Sequence, residues 1–491
     1  MVPNVIGSRL VQPERPTLPV YNPATEEIID HVPISTNEDV AAAVAEATSA
    51  FRPWSRVPVM ERTRLMFRYR ELLDQHFEQL AEIVTRHHGK TLEEARGEVR
   101  RGLEVVDFAC GAPTLLQGRT LRQVTADVDQ DLFRYPLGVV AGITPFNFPV
   151  MIPLWMFPLA IVSGNTFVLK PSEKTPLGAV RLAELFLEAG FPPGVLNVVN
   201  GTEAVVNSLC AHPGVRAISF VGSERIARYV YSEATRHGKR VQAAGGAKNH
   251  IVVMPDADLD LATGAIVNSS FGNAGERCLA GSVVVAIGEA HDRLLGSLID
   301  EARRLVVGPG DSPGAQMGPL IRREHRDRVV GYIEQAAGEG AVIVADGRDY
   351  LSKPGFFLGP TILDGLSASM SVAREEVFGP VLGVSRAEDL ETAIETANRG
   401  SLGNMAVIFT RNGTSARRFR EEVEAGMVGI NVGTAQPFAF YPFSGWRNSF
   451  FGDLHMNGPD GIEFYTRKKV VVTRWAQRPA AVNESPTTID V

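Results

Sequence analysis

The sequence predicts an α/β fold with mostly parallel sheets, and three observations carry that prediction. Amphipathic helical patterns alternate with short apolar runs along the chain, as strand–helix units do. From Thr166 the alternation is regular enough to read as successive β-α-β units, whose helical crossovers make neighbouring strands parallel. The 491 residues, 44% hydrophobic and 21% charged, can supply more than one buried core at about 100–200 residues per domain.

The elements follow in order. Asn37–Ala50 has helical spacing, with Asp39 near its start where free N–H groups favour an acid. Val59–His87 reads as one or two amphipathic helices and Thr91–Gly111 as another. Leu121–Tyr135 instead alternates apolar and polar residues, as a strand pair does, and Val139–Ile143 is a short buried strand ending at Thr144-Pro145. Val150–Val162 is a 13-residue apolar run containing Pro153 and Pro158; it is too short to cross a bilayer and reads as a buried helix. Strands at Thr166–Leu169, Val195–Val199 and Ala217–Val221 alternate with helices at Ala179–Ala189, Ala204–Leu209 and Arg225–Thr235. A second α/β series spans about Ile251 to Val432, with helices at Leu294–Arg304, His325–Glu339 and Leu390–Asn398. Lys468–Trp475 is a late strand, and Ala476–Val491, rich in Pro, Ser and Thr, is expected to be loose or to lie on a partner.

Composition narrows the function. A net charge of −7 argues against nucleic-acid binding but leaves room for an anionic ligand in a local basic pocket. Cys110, Cys210 and Cys278 are far apart, with no CxxC pair and no Cys/His cluster of zinc spacing. No metal site or disulfide framework is expected, and a reducing cytoplasm fits best. The N-terminal residues lack a basic stretch followed by an apolar run, so no signal peptide is expected. No G-x-G-x-x-G follows a strand, since Pro313 interrupts the candidate at Gly308–Gly314; the common dinucleotide fingerprint is absent.

Cys278 is the most informative residue. It closes the run Phe271-Gly-Asn-Ala-Gly-Glu-Arg-Cys278, whose small residues at Gly272, Ala274 and Gly275 suit close approach of a ligand. A lone cysteine is more often a small buried hydrophobe than a nucleophile; the neighbouring motifs reverse that reading. Thr144-Pro-Phe-Asn147-Phe-Pro149, Lys170-Pro-Ser-Glu173, Phe220-Val-Gly-Ser223, Gly245-Gly-Ala-Lys-Asn-His250, the Cys278 run, Met317-Gly-Pro-Leu320, Glu375-Glu376-Val-Phe378-Gly-Pro380 and Pro442-Phe-Ser-Gly-Trp446 occur in that order. In this set and order the chain resembles the aldehyde dehydrogenase superfamily over essentially its whole length.

The resemblance implies a Rossmann-like NAD domain (1–120 and 139–247), a catalytic α/β domain (248–445) and a small β oligomerisation element (121–138 and 464–491). It implies Cys278 as the nucleophile, with the Asn147 amide and the Cys278 backbone N–H facing the oxyanion that forms when a thiolate attacks an aldehyde. For the cofactor it implies Lys170 and Glu173 at the adenine ribose, Ser223 at the pyrophosphate, Glu376 and Phe378 at the nicotinamide riboside, and Thr144 and Phe146 alongside. An acid at 173 favours NAD over its 2′-phosphate form. Ala227 stands where the family often has glycine. Hydrolytic members carry a glutamate four residues before the lysine that matches Lys248; here that residue is Ala244. Without a base water is a poor nucleophile toward a thioester, whereas a thiol such as coenzyme A is a good one. The spelling Gly246-Ala-Lys-Asn-His250 and Gly275-Glu-Arg-Cys278 is similar to the CoA-acylating methylmalonate/malonate-semialdehyde branch. That branch implies two arginines on the substrate carboxylate, matching Arg101 and Arg277, and a tetramer built from dimers. Arg277 is also expected to lower the thiol pKa. A dehydrogenase of another short anionic aldehyde, such as a sulfonate, releasing the free acid, stays open beside this reading.

Overall fold

The computed structural model describes residues 1–12 and 14–475; the expectation for Ala476–Val491 lies outside them. Two large sheets organise the chain. The first runs Arg9–Val11, Asn4–Ile6, Leu196–Val198, Thr166–Lys170, Val139–Ile143, Val215–Gly222, Arg240–Gly245 and Phe450–Gly452 across its width. From Leu196–Val198 to Arg240–Gly245 the strands are parallel, and the edges pair antiparallel. The second runs Val342–Ala345, Thr361–Asp364, Val381–Ala387, Gly281–Ile287, Asn249–Val253, Met405–Phe409 and Met427–Ile430, with only the Val342–Ala345 edge antiparallel. Val139–Ile143 and Asn249–Val253 are buried at every residue, the pattern of parallel strands covered on both faces.

This topology brings strand ends together. Thr144 follows one strand of the first sheet, Lys170 ends the next, and Ser223 follows a third; these are carboxyl ends, where open α/β sheets bind ligands. Lys248, Cys278, Phe378 and Asn404 instead lie just before strands of the second sheet. The site forms where the carboxyl ends of the first sheet meet the amino ends of the second.

The apolar run folds as the helix Met151–Val162, buried along its whole length. The helix Asn37–Ser55 starts with Thr36 N donating to Asp39 (2.8 Å), as its early acid predicted, and continues past Ala50. Leu121–Tyr135 is a strand pair, Arg119–Thr125 and Val128–Pro136, and Thr466–Arg474 joins the second of these along nine residue pairs. That small sheet leaves Leu121, Val470 and Val472 about 60% exposed (63%, 61% and 59%). Phe450–Gly452 was not legible, because a three-residue strand with adjacent phenylalanines shows no alternation. It returns the chain to the first sheet after the second is complete. Cys110 and Cys210 are free and buried, their thiols pushed up to about 12 by burial.

The alanine at 227 is accommodated by the strand on which its helix packs. A Cβ on Gly245 would stand 2.5 Å from the Cβ of Ala227 and 3.1 Å from Glu224 Cα, so glycine at 245 makes room for alanine at 227. Gly245→Ala is expected to destabilise the fold by about 1–3 kcal/mol through overpacking, read by urea unfolding. Adding Ala227→Gly should recover part of the loss. An equal loss with and without Ala227→Gly would show that this contact does not matter.

Candidate active site

The nucleophile loop is strained and held. After the helix Leu259–Phe271, Asn273, Ala274 and Gly275 take φ of 54°, 50° and 72°, a left-handed run that alanine adopts only when its surroundings impose it. Glu94 accepts from Asn273 N (2.5 Å), and Asn273 Nδ2 donates to the Glu276 carbonyl (3.1 Å). A Cβ on Gly275 would meet the Gly379 carbonyl at 2.2 Å, and one on Gly272 would meet the Arg277 guanidinium at 2.5 Å. The small residues that the sequence offered to a ligand therefore admit protein: the Gly379–Pro380 backbone at 275 and the Arg277 side chain at 272.

Cys278 is partly exposed. Its carbonyl accepts from Asn249 Nδ2 (3.0 Å) and Asn404 Nδ2 (2.9 Å), so its peptide plane is fixed from two strands. The thiol is pushed up to about 12, first by burial and then by the Glu376 carboxylate; Arg277 acts in the opposite direction and is outweighed. The expected lowering by Arg277 is thus correct in sign and too small to prevail. A pKa raised in this way favours the thiol over the thiolate.

Asn147 reaches the same loop from the first sheet. Its Nδ2 donates to the Glu276 carbonyl (2.8 Å), two residues before the nucleophile. Its own carbonyl accepts from Lys90 Nζ (2.7 Å), which also pairs with Glu98 at 2.7 Å. Glu98 in turn accepts from the N–H groups of Val150 (2.8 Å) and Met151 (3.1 Å), placing a carboxylate at the start of the buried helix where the dipole favours it.

The cofactor-binding expectations cluster at the strand ends. Lys170 Nζ lies 3.2 Å from Glu173. Burial raises the Glu173 pKa, but Lys170 and local hydrogen bonds outweigh it and hold the acid below its ordinary value. Thr144 N donates to the Lys170 carbonyl (3.0 Å), and its buried hydroxyl has no partner among the described residues. Ser223 is exposed at the start of the helix Glu224–Arg236 and makes no side-chain cap, leaving free N–H groups that suit a pyrophosphate. Phe378 holds φ +58° and meets Phe146 edge-to-face at 5.9 Å. Glu376 accepts from Ala247 N (2.9 Å); burial pushes its carboxyl up to about 7 despite that bond and Lys248. A lysine–carboxylate pair, an uncommitted helix start and a partnerless buried hydroxyl together fit a dinucleotide.

The two arginines are placed differently. Arg277 adjoins the nucleophile, paired with Glu94 (3.0 Å) and bonded to Asn268. Arg101 lies over the Phe438 ring (4.9 Å) and pairs with Glu104 (2.9 Å). No hydrogen bond or ion pair joins Arg101 to the Cys278 loop among the described residues. Sequence reasoning missed Lys90, Glu94, Glu98, Asn249 and Asn404. The available signal was helical spacing, since Glu94, Glu98 and Arg101 share one face of the helix Leu92–Cys110.

The electrostatics are testable. Glu376→Gln removes a negative charge that raises the thiol pKa, so iodoacetamide should alkylate Cys278 about 3–10 times faster at about pH 8. The difference should vanish at about pH 5.5, where the wild-type carboxyl is itself protonated. Equal rates at both pH values would remove Glu376 from the thiol's environment. Cys278→Ala serves as the control.

Comparison with known proteins gives the family. The aldehyde dehydrogenase family model matches residues 10–471. The malonate-semialdehyde dehydrogenase of Halalkalibacterium halodurans is 54% identical over 474 residues, covering 96% of this chain and 98% of that relative. The crystal structure of methylmalonate-semialdehyde dehydrogenase from Oceanimonas doudoroffii is 46% identical with a TM-score of 0.96, covering 97% of this chain and 99% of that one. A structure from Sinorhizobium meliloti 1021, complexed with NAD and provisionally named methylmalonate-semialdehyde dehydrogenase, is 42% identical with a TM-score of 0.95, covering 97% and 98%. The chain belongs to the aldehyde dehydrogenase family.

Proposed function

We propose that this enzyme is an NAD-dependent, CoA-acylating dehydrogenase. It would convert malonate semialdehyde or methylmalonate semialdehyde to acetyl-CoA or propionyl-CoA with loss of the substrate carboxylate. The observation that carries the acylating part is Ala244. It is the penultimate residue of the strand Arg240–Gly245, paired with Val221 on one side and Phe450 on the other, and is buried, where hydrolytic members place their base. The relatives' names support the substrate class, and the NAD complex of a similar structure supports the cofactor.

Lys170 and Glu173 would hold the adenine ribose, Ser223 the pyrophosphate, and Glu376, Phe378, Thr144 and Phe146 the nicotinamide end. NAD, when bound, supplies the hydride acceptor. The chain's part is to deliver the Cys278 sulfur to the aldehyde carbon, to stabilise the resulting oxyanion with the Asn147 amide and the Cys278 N–H, and to retain the acyl group as a thioester until a thiol removes it. An ionised Glu173 disfavours a 2′-phosphate. Arg101 engages Glu104 through Nη1 alone, leaving donors for a substrate carboxylate, which it matches in geometry. Arg277 is the second cation, at the nucleophile itself. We place the enzyme in the cytoplasm and read the exposed apolar strands of the small sheet as an interface of a homotetramer, since such an edge is a liability in a monomer.

A second reading, hydrolysis, is favoured by one observation. Glu376, with its carboxyl near 7 and its charge acting on Cys278, has the properties of a general base.

The two readings separate in one experiment. Without coenzyme A, malonate semialdehyde should give a burst of about one NADH per active site and then slow turnover; coenzyme A should raise the steady rate and yield an acyl-CoA. Fast steady release of free acid, indifferent to coenzyme A, would establish the hydrolytic reading instead. In the same assay Arg101→Leu and Arg277→Leu should each lower kcat/KM for carboxylate-bearing aldehydes about 10–100-fold more than for neutral ones, the worth of a charge-assisted hydrogen bond. Equal losses on both substrates would remove that arginine from carboxylate recognition.

A further inference from the structure

We propose that Glu276 is a positioning residue that works as a neutral acid: its carboxyl O–H donates to Nε2 of His88 and so ties the Phe146–Asn147 turn, the Cys278 loop and Phe378 into one unit. The proposal rests on the reading of Cys278 as the nucleophile and Asn147 as the oxyanion donor.

The geometry pairs the two side chains. Glu276 and His88 are both completely buried. Oε1 of Glu276 accepts from Ile321 N (3.3 Å) and lies 3.3 Å from His325 Nε2. Oε2 lies 3.5 Å from Nε2 of His88, and neither of these two atoms has a hydrogen-bond partner among the described residues. They are two buried polar atoms that face each other across the distance of a long hydrogen bond, and one shared proton satisfies both. The backbone of Glu276 and the two histidines make the connections. The Glu276 carbonyl accepts from Asn147 Nδ2 (2.8 Å). The His88 ring stacks on Phe146 (5.9 Å, 16°), and His325 Nε2 donates to the Phe378 carbonyl (2.7 Å).

The charges facing this site leave the neutral pair favoured. Lys174, Lys90 and Arg328 each favour the carboxylate, as does the Ile321 bond, but burial outweighs them and pushes Glu276 up to about 8. Burial, Lys90 and His325 hold His88 well below its ordinary value. Burial also pushes His325 down to about 3, so neither imidazole carries a charge to pair with a carboxylate. An ionised Glu276 would be a desolvated charge with no cation in contact. Relieving it would move the peptide on which the Asn147 amide is set.

Three measurements test this. The infrared difference between wild type and Glu276→Gln at about pH 6.5 should contain the carbonyl stretch of a protonated carboxylic acid; a carboxylate band there overturns the proposal. The thermal midpoint gives the second. The unfolded acid loses its proton near 4.5 while the folded one keeps it to about 8, so the unfolded state binds fewer protons and wild-type stability falls with pH across that window. The midpoint of Glu276→Gln should therefore gain on wild type between those values, and a constant gap overturns the proposal. The third is the pre-steady-state rate of NADH formation. Glu276→Gln, an uncharged isostere, should keep most of the rate near pH 7 and exceed wild type several-fold at about pH 9.5, whereas Glu276→Ala should lose more than about tenfold throughout. Profiles for wild type and Glu276→Gln that superimpose over the whole range overturn the positioning role. The first two measurements need no substrate, so they report on Glu276 even if the acylating assignment fails.

Discussion

The buried ion pair of Lys90 and Glu98 is the constraint on which the rest of the site depends. Both side chains are essentially inaccessible to water (1% and 0% exposed). Such a pair stabilises a fold only when its remaining donors and acceptors are satisfied. Here they are satisfied by the active-site turn itself: Lys90 donates to the Asn147 carbonyl and Glu98 accepts from the N–H groups of Val150 and Met151. The pair thus specifies the path of residues 147–151. Removing either partner leaves an uncompensated buried charge, a loss of about 3–5 kcal/mol in typical cases. That loss would fall on the turn that carries Asn147, the proposed oxyanion donor.

Cys278, the proposed nucleophile, sits in a site kept electrically quiet. Burial raises the Cys278 thiol and the Glu276 and Glu376 carboxyls, and lowers Lys248 to about 8 and His325 to about 3. One cause, exclusion of water, moves all of them toward their neutral forms. A thiol in that state resists oxidation. It is also poised, because its raised pKa depends partly on the Glu376 carboxylate. Glu376 is the residue proposed to engage the nicotinamide ribose, so a bound cofactor that drew its carboxylate away would remove an obstacle to forming the thiolate. Binding and activation would then be coupled through a single side chain.

Much of this was legible in the sequence, for physical reasons that differ between parts. The regular strands from Thr166 onward declared themselves because parallel strands are continuously apolar and their helices are amphipathic. Cys278, Asn147 and Glu376 were singled out only through the ordered set of motifs that carries the family resemblance, since each motif alone reads as core, turn or loop. What was hidden depended on long-range partners. Lys90 and Glu98 look like helix-surface charges until a second layer covers them. Asn249 and Asn404 look like turn residues at strand starts, yet they converge on one carbonyl from neighbouring strands. The glycines of the nucleophile loop were read as space for a ligand, because a missing Cβ does not say what fills the gap.

A single helix supplies the geometry that links these parts. Along Leu92–Cys110, Glu94 clamps the strained nucleophile loop through Asn273 and Arg277, Glu98 fixes the oxyanion turn, and Arg101 stands at Phe438. The spacings of four and then three residues place all three on one face, within about 10 Å of axial rise. Glu94 also closes a capping box with Thr91 (3.0 and 3.2 Å), so the helix start and the nucleophile loop share one carboxylate. Relative positions of the proposed nucleophile, the proposed oxyanion donor and the candidate carboxylate anchor are therefore set by the rigid repeat of an α-helix rather than by three independent loops. Catalytic groups tolerate little misplacement. A rigid ruler of this kind accounts for how a left-handed, strained loop can hold Cys278 in one orientation.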